Sequence, residues 1–186
     1  GGSVTVAADT DADALASALS GGGASGTAFG LSVSYAGNRG QTTARITDSV
    51  INRSVPTGQV TVDADSALTL TSLLAQANVG LSNGVGAALS VTNLAGETTA
   101  EVVDSSIGPA ALQARQDGNG LLRVEATGDS VLSAAAVGVA GGGTAGVSGS
   151  IALADRRDTV HARIADSDVR LMGDVTVAAN AAGAVG

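Results

Sequence analysis

Lysine is missing altogether. The positive charge of this 186-residue chain rests on nine arginines against 17 Asp and Glu, a formal net charge of −8. Aromatic residues are almost missing too: one Phe (Phe29), one Tyr (Tyr35) and no Trp. An acidic chain with neither a basic stripe nor stacking platforms is not built for nucleic acid. Cysteine is absent, which removes disulfides, thiolate metal sites and a Cys nucleophile together. That absence suits a large secreted protein that crosses envelopes unfolded, and many cytosolic proteins share it. No stretch approaches 18 continuous apolar residues, so no membrane-spanning helix or membrane insertion is expected. No charged-then-apolar N-terminal signal is visible either.

What the chain has in quantity is small and aliphatic. Hydrophobic residues make up 44% and charged residues only 14%, with 27 Gly and two prolines, Pro56 and Pro109. That is too apolar for a disordered acidic segment. It is also the wrong apolar set for one central core, which uses aromatics to fill irregular space. Stacked similar layers need only aliphatic side chains to fill a narrow, regular interior.

The repeat is visible directly. Gly58-Gln59-Val60-Thr61-Val62-Asp63-Ala64-Asp65 has an earlier copy, Gly2-Ser3-Val4-Thr5-Val6-Ala7-Ala8-Asp9. A degraded copy is Gly120-Leu121-Leu122-Arg123-Val124-Glu125-Ala126-Thr127, and the last is Gly173-Asp174-Val175-Thr176-Val177-Ala178-Ala179-Asn180. Apolar residues at every second position mark a strand with one buried face. The copies start 56, 62 and 53 residues apart, which defines repeats 2–57, 58–119 and 120–172 and a partial one, 173–186. The chain reads as an internal fragment of a longer array.

Each anchor strand leads into an Ala/Leu/Ser segment: Ala12 to Ser20, Ser66 to Val79, Ser130 to Ala140. Asp11 to Leu19 alone has helical composition, but its counterparts, such as Leu68-Thr69-Leu70-Thr71, alternate as strands do. Equivalent positions should share a structure, so the segment is expected to be strand, with both faces covered. A Gly-rich turn comes next, then a third strand. Leu31, Val33, Leu89, Val91, Ile151 and Leu153 are expected on its inward face. A fourth segment carries Asp48-Ser49, Asp104-Ser105 and Asp166-Ser167. Both prolines fall in the connections back to the anchor, where a missing N–H does no harm.

Four short strands cannot bury an apolar face alone, but stacked copies can. Stacking puts Val4, Val60, Leu122 and Val175 in one ladder and Val6, Val62, Val124 and Val177 in the next. Arg45, Glu101 and Arg163 then share an outward column, where opposite neighbours each contribute roughly 0.2–1 kcal/mol. The fold class expected is all-β, a parallel β-solenoid of about 53–62-residue repeats. One coil per repeat, with the second and third strands as a side hairpin, competes with two smaller rungs per repeat.

Gly-x-Val-Thr-Val-x-Ala, an Ala/Gly-rich segment, a Leu-Ser-Val-like strand and Ala-x-Ile-x-Asp-Ser-x-Val together resemble the repeats of giant filamentous adhesins. These are the filamentous-haemagglutinin-like and leukotoxin-type β-solenoid exoproteins of Gram-negative bacteria. The resemblance covers nearly all of the chain. It implies a right-handed β-helix, secretion to the cell surface, and a part in attachment or biofilm.

Candidate chemistry is sparse. Gly21-x-Gly23-x-x-Gly26 and Gly141-x-Gly143-x-x-Gly146 match a dinucleotide fingerprint, which requires a helix immediately after it. The residues after each motif are strand-like, so these read as turn glycines. Asp9, Asp11 and Asp13 have the alternate-carboxylate spacing that opens a calcium loop, but Ala14 and Ser20 stand where that loop needs Gly and Glu. A weak surface Ca²⁺ site is the one metal candidate; the other reading is a solvated strand end. Asp48, Asp104 and Asp166 should stack at a turn, bonding turn amides in Asx fashion. They also resemble the acid clusters of β-helical polysaccharide enzymes, without the basic or aromatic companions. His161 falls in an outward column with Thr43 and Thr99 and lacks a second His. Thr5, Thr61 and Thr176 form a threonine column that Arg123 interrupts.

The function expected is therefore non-enzymatic: a shaft segment of a secreted bacterial surface adhesin, its partners the neighbouring repeats of the same chain. A host or surface ligand would be bound through other regions. The alternatives are a ligand-binding solenoid, for ice or surface glycan, and, third, a polysaccharide-active enzyme.

Overall fold

The computed structural model describes residues 3–51, 58–109, 120–171 and 173–186. Pro56, the repeat bounds at 2, 57, 119 and 172, and most of the 108–119 connection lie outside them. Among the described residues there is strand and no helix. The chain first runs through β1 (Val4–Ala24), β2 (Thr27–Asn38), β3 (Gln41–Thr47) and β4 (Val50–Ile51). The second pass makes β5 (Gln59–Gly80), β6 (Asn83–Leu94), β7 (Glu97–Val103) and β8 (Ser106–Ile107). The third makes β9 (Leu121–Gly142), β10 (Ala145–Arg156), β11 (Thr159–Ala165) and β12 (Asp168–Val169), and β13 (Val175–Val185) opens a fourth.

Among the described residues, strands pair only with their counterparts in the neighbouring pass, and always in parallel. The first sheet is β1-β5-β9-β13; the second, third and fourth are β2-β6-β10, β3-β7-β11 and β4-β8-β12. Such stacked parallel sheets are compatible with a β-solenoid. The expected ladders are there: Val4 pairs with Val60, Val60 with Leu122, and Leu122 with Val175.

The anchor strand and the Ala/Leu/Ser segment are not two strands. They run on as one strand of 21 or 22 residues in each complete pass. The first half of this strand, with the third and fourth sheets, encloses the trunk. Val60, Val62, Ala100, Val102, Ile107, Leu122 and Val124 are fully buried there. A second cluster, Leu68, Leu70, Leu94 and Leu132, closes the trunk on the side toward the second sheet. Small and aliphatic side chains suffice because the sheets lie close together along the whole stack.

Beyond that leucine cluster the second half of the long strand faces the second sheet, and the two form a thin side lobe. It is not a hairpin. β1 and β2 belong to different sheets and meet through side chains, while their backbones bond to the next pass.

Candidate functional site

The lobe is built the opposite way round from the trunk. Its interior is lined mostly by glycine, alanine and hydroxyl side chains, with one buried leucine, Leu74. Ser32, Ser34, Ser72, Ser90 and Thr92 are buried, and they bond across the gap between the sheets. Ser72 Oγ donates to Ser34 Oγ at 2.9 Å, Ser90 Oγ to the Ser72 carbonyl at 2.8 Å, and Thr92 Oγ1 to the Ser133 carbonyl at 2.9 Å. Ser34 reaches the Ala16 carbonyl at 3.2 Å, and Ser20 bonds Ser32. Hydroxyls satisfied in this way can be buried at little cost.

Toward the tip two amides replace hydroxyls: Gln76 and Asn78, 4% and 2% exposed. A Cβ at Gly30 would collide with both of them, so glycine there makes the room they occupy. Gln76 Oε1 and Asn78 Nδ2 have no hydrogen-bond partner among the described residues.

Apart from Leu74, the large apolar side chains of the lobe point outward. Leu31, Val33, Ile151 and Leu153, expected inside, are 74, 56, 58 and 53% exposed, and Leu89 and Val91 are only half-buried. The alternation is real, but its large members face solvent because the sheets are too close for them. Phe29 and Tyr35 stand on this same outer face, 76% and 59% exposed. The opposite face, on the long strands, bears Leu15, Leu19, Leu73, Val79, Val131, Val137 and Val139, all exposed. The expectation that both faces of this segment are covered is therefore corrected: only the inward one is. Leu19, Leu73, Ala75 and Val137 border a shallow apolar hollow of about 310 Å³ on it. The signal for this inversion lay at the alternate positions, which are small in all three copies: Gly30-Ser32-Ser34, Gly86-Ala88-Ser90 and Ser148-Ser150-Ala152.

Charge collects on the trunk. Asp9, Asp11 and Asp13 share the outer face of β1, and Asp9 is paired with Asp65. They lie in extended strand, where alternate residues sit about 6.6 Å apart along a line, rather than curling around one point as in a calcium loop. No group of three or more His, Asp or Glu able to hold a metal occurs among the described residues. Arg123 pairs with Glu125 in the break of the threonine column, between Thr61 and Thr176.

The acid–serine corner differs from expectation in who does the bonding. Asp48, Asp104 and Asp166 take left-handed φ angles of 49, 49 and 50°, a region Asp tolerates better than most residues. The serines make the side-chain bonds. Ser105 Oγ donates to the Val103 carbonyl at 2.8 Å and accepts from the Ser49 amide at 3.2 Å. Ser167 repeats the arrangement, donating to Ala165 and accepting from the Ser105 amide.

On the third sheet Arg45, Glu101 and Arg163 form the expected column, and Glu101 is held between the two arginines. His161 pairs with Thr99 beside them, at the edge of an open polar depression of about 430 Å³. At the foot of the lobe, Arg156 stands where the second pass has Leu94, and it pairs with Asp158. Arg156 Nε donates to Asp158 Oδ1 at 2.5 Å and its second nitrogen to the Ala182 carbonyl at 2.8 Å. The Arg156 hydrogen bond holds the Asp158 carboxyl below its usual range against the opposing effect of burial, and the bond to Asp158 raises Arg156. The Gly21–Gly26 and Gly141–Gly146 motifs end one strand and lead into the next, as turn glycines do.

No family model, curated protein or solved structure matches the chain.

Proposed function

We propose that this chain is a structural, non-enzymatic shaft segment of a secreted, filamentous bacterial surface adhesin, of the Gram-negative kind its repeats resemble. The observation that supports it most is the pairing: each strand finds its partner one pass away, in parallel and in register, through three successive passes. Such a stack lengthens by about 4.8 Å per pass and transmits load along an axis without needing a ligand. In this reading each repeat of 53–62 residues is one coil, and the coil is right-handed, the hand that parallel crossovers overwhelmingly adopt. The partners of the segment are neighbouring repeats of its own chain, and attachment is performed elsewhere in the parent protein.

The polar depression beside His161 is the place where a rival glycan-binding function would reside. A glycan array probed with the purified chain separates the two. The shaft reading expects no saturable binding; a saturable glycan ligand lost on His161→Ala and Arg163→Ala would replace it with the binding reading.

A further inference from the structure

The side lobe exposes what a protein in water normally buries. Its interior contributes hydroxyls, glycines, alanines, two incompletely bonded amides and a single leucine, Leu74, so little hydrophobic burial holds it closed from within. Its exterior carries the apolar side chains on both sides, including the only two aromatics of the chain. Exposed patches of this kind mark interaction surfaces.

We propose that the lobe is a stacking surface for a second copy of this chain. The aromatic-bearing face of the second sheet seats on the aliphatic face of the first sheet of the next molecule. Three observations select this occupant. The first is charge. Outward positions between Leu15 and Gly21, Thr71 and Val79, and Ser133 and Gly141 include no charged residue. On the other face Thr27 to Tyr35, Asn83 to Val91 and Ala145 to Leu153 carry none either; the next row, Gly37, Asn93 and Asp155, brings one carboxylate, paired with Arg157 at the foot of the lobe. With no cation in these rows, Arg157 at their margin already paired with Asp155, and a net charge of −8, the lobe has little to offer an anionic lipid surface.

The second is size. Twelve residues per strand and three strands in the second sheet give a face of about 40 by 14 Å. Covering one face on each of two copies removes roughly 1,100 Å² of projected area, near the lower bound for specific association. The third is shape. Phe29 and Tyr35 are exposed on one face, Tyr35 with its ring laid over Gly37, and the hollow of about 310 Å³ between Leu19, Leu73 and Val137 lies on the other. Because the two faces differ and lie on opposite sides of one lobe, the contact is head-to-tail and does not close. Copies stack side by side into an open array, in which every interior lobe is covered on both faces. This inference stands apart from the adhesin reading, since it concerns only how the chain meets itself.

Sedimentation velocity of the 186-residue chain over a concentration series reads the association. Wild type should form a ladder of species that grows with concentration. Phe29→Asp with Ile151→Asp blocks the aromatic face, and Leu19→Asp with Val137→Asp blocks the aliphatic one. Each pair would bury unpaired carboxylates in the contact and should weaken association at least about tenfold. Mixing the two blocked proteins leaves one intact face on each, so the mixture should give a one-to-one dimer and nothing larger. If the Asp variants lose their β circular dichroism, Thr at the same four positions keeps strand propensity and serves instead.

A wild type that stays monomeric throughout overturns the proposal, as does association that both blocks leave unchanged, which would be end-to-end. An aliphatic-blocked variant that still dimerises alone shows a symmetric aromatic contact and overturns the head-to-tail arrangement. A monomer that floats with phosphatidylcholine vesicles would assign the face to lipid and overturn it as well.

Discussion

Arg163 grips Glu101 from the neighbouring strand through two nitrogens, Nε at 2.7 Å and a terminal nitrogen at 2.6 Å from the same carboxylate oxygen. The other oxygen meets Arg45 Nε at 2.9 Å, so one nearly buried carboxylate joins three successive passes. Without it, two cations would stand about 9.6 Å apart, two strand spacings, with nothing between them.

Glu101→Gln should therefore cost about 1 kcal/mol, and Glu101→Lys, which stacks three cations, roughly 2–3 kcal/mol. Since the arginines are about half exposed, the excess loss in Glu101→Lys should shrink in high salt. Urea unfolding with and without added sodium chloride checks both points. A salt-independent loss would mean packing rather than charge sets the effect.

The trunk predicts a sharp contrast between adjacent residues. Val62 is fully buried between Val6 and Val124, whereas Thr61 faces out beside Arg123. Val62→Asp places an unpaired charge in a dry ladder and should cost several kcal/mol, about 4 or more. Thr61→Asp gains a cationic neighbour and should cost less than about 1 kcal/mol. Equal losses in thermal or chemical unfolding would overturn the register.

The trunk was legible because its alternation has only one reading. Val-Thr-Val in an acidic setting puts valine in and threonine out, and the spacing of its copies supplies the register. The Arg45–Glu101–Arg163 column came from aligning the Asp–Ser pairs, and the pairing of the strands agrees with it. The lobe was not legible at the same level of detail. Leu31-Ser32-Val33-Ser34 alternates equally well, but hydrophobicity alone points the large residues inward. What decides orientation is the separation of the two sheets. Ser34, Ser72 and Ser90 bond across that gap, which leaves no room for leucine at their own level; the lobe's one buried leucine, Leu74, lies further along the long strand. Sheet separation is a tertiary quantity, and in sequence it shows only as smallness at the alternate positions. The division of labour at the Asp–Ser corner was hidden likewise, because both residues are good turn formers.

At that corner the backbone and the hydroxyl can be tested separately. Asp104 has φ 49°, so Asp104→Val forces a β-branched residue into the left-handed region at a cost of roughly 1–2 kcal/mol. Asp104→Asn and Asp104→Gly should be near neutral. Ser105, 4% exposed, donates one bond and accepts another. Ser105→Ala should thus lose about 1–2 kcal/mol. Unfolding curves in which Asp104→Asn is as damaging as Asp104→Val would show that the carboxylate, not the φ angle, is what the corner needs.

Acid should loosen the foot of the lobe first. The Arg156 hydrogen bond lowers the folded-state pKa of Asp158 below the ordinary aspartate value of 3.8. A carboxyl with a depressed folded pKa contributes stability that is fully present above its unfolded value and disappears as pH falls through the folded one. Between pH 7 and 5 this pair should thus add no pH dependence, and below about 4 its contribution should fall steadily. Arg156 stays charged throughout, because its pKa is raised from an already high value. Asp158→Asn removes the titrating group, so its unfolding free energy should decline less than wild type's between pH 4 and 2. It should also be lower than wild type's at pH 7, where Arg156 has lost its anionic partner. Hydrogen exchange at the amides of β10 and β13 reports the same event locally, since Arg156 also holds the Ala182 carbonyl. Identical acid profiles for wild type and Asp158→Asn would show that this ion pair does not couple protonation to stability.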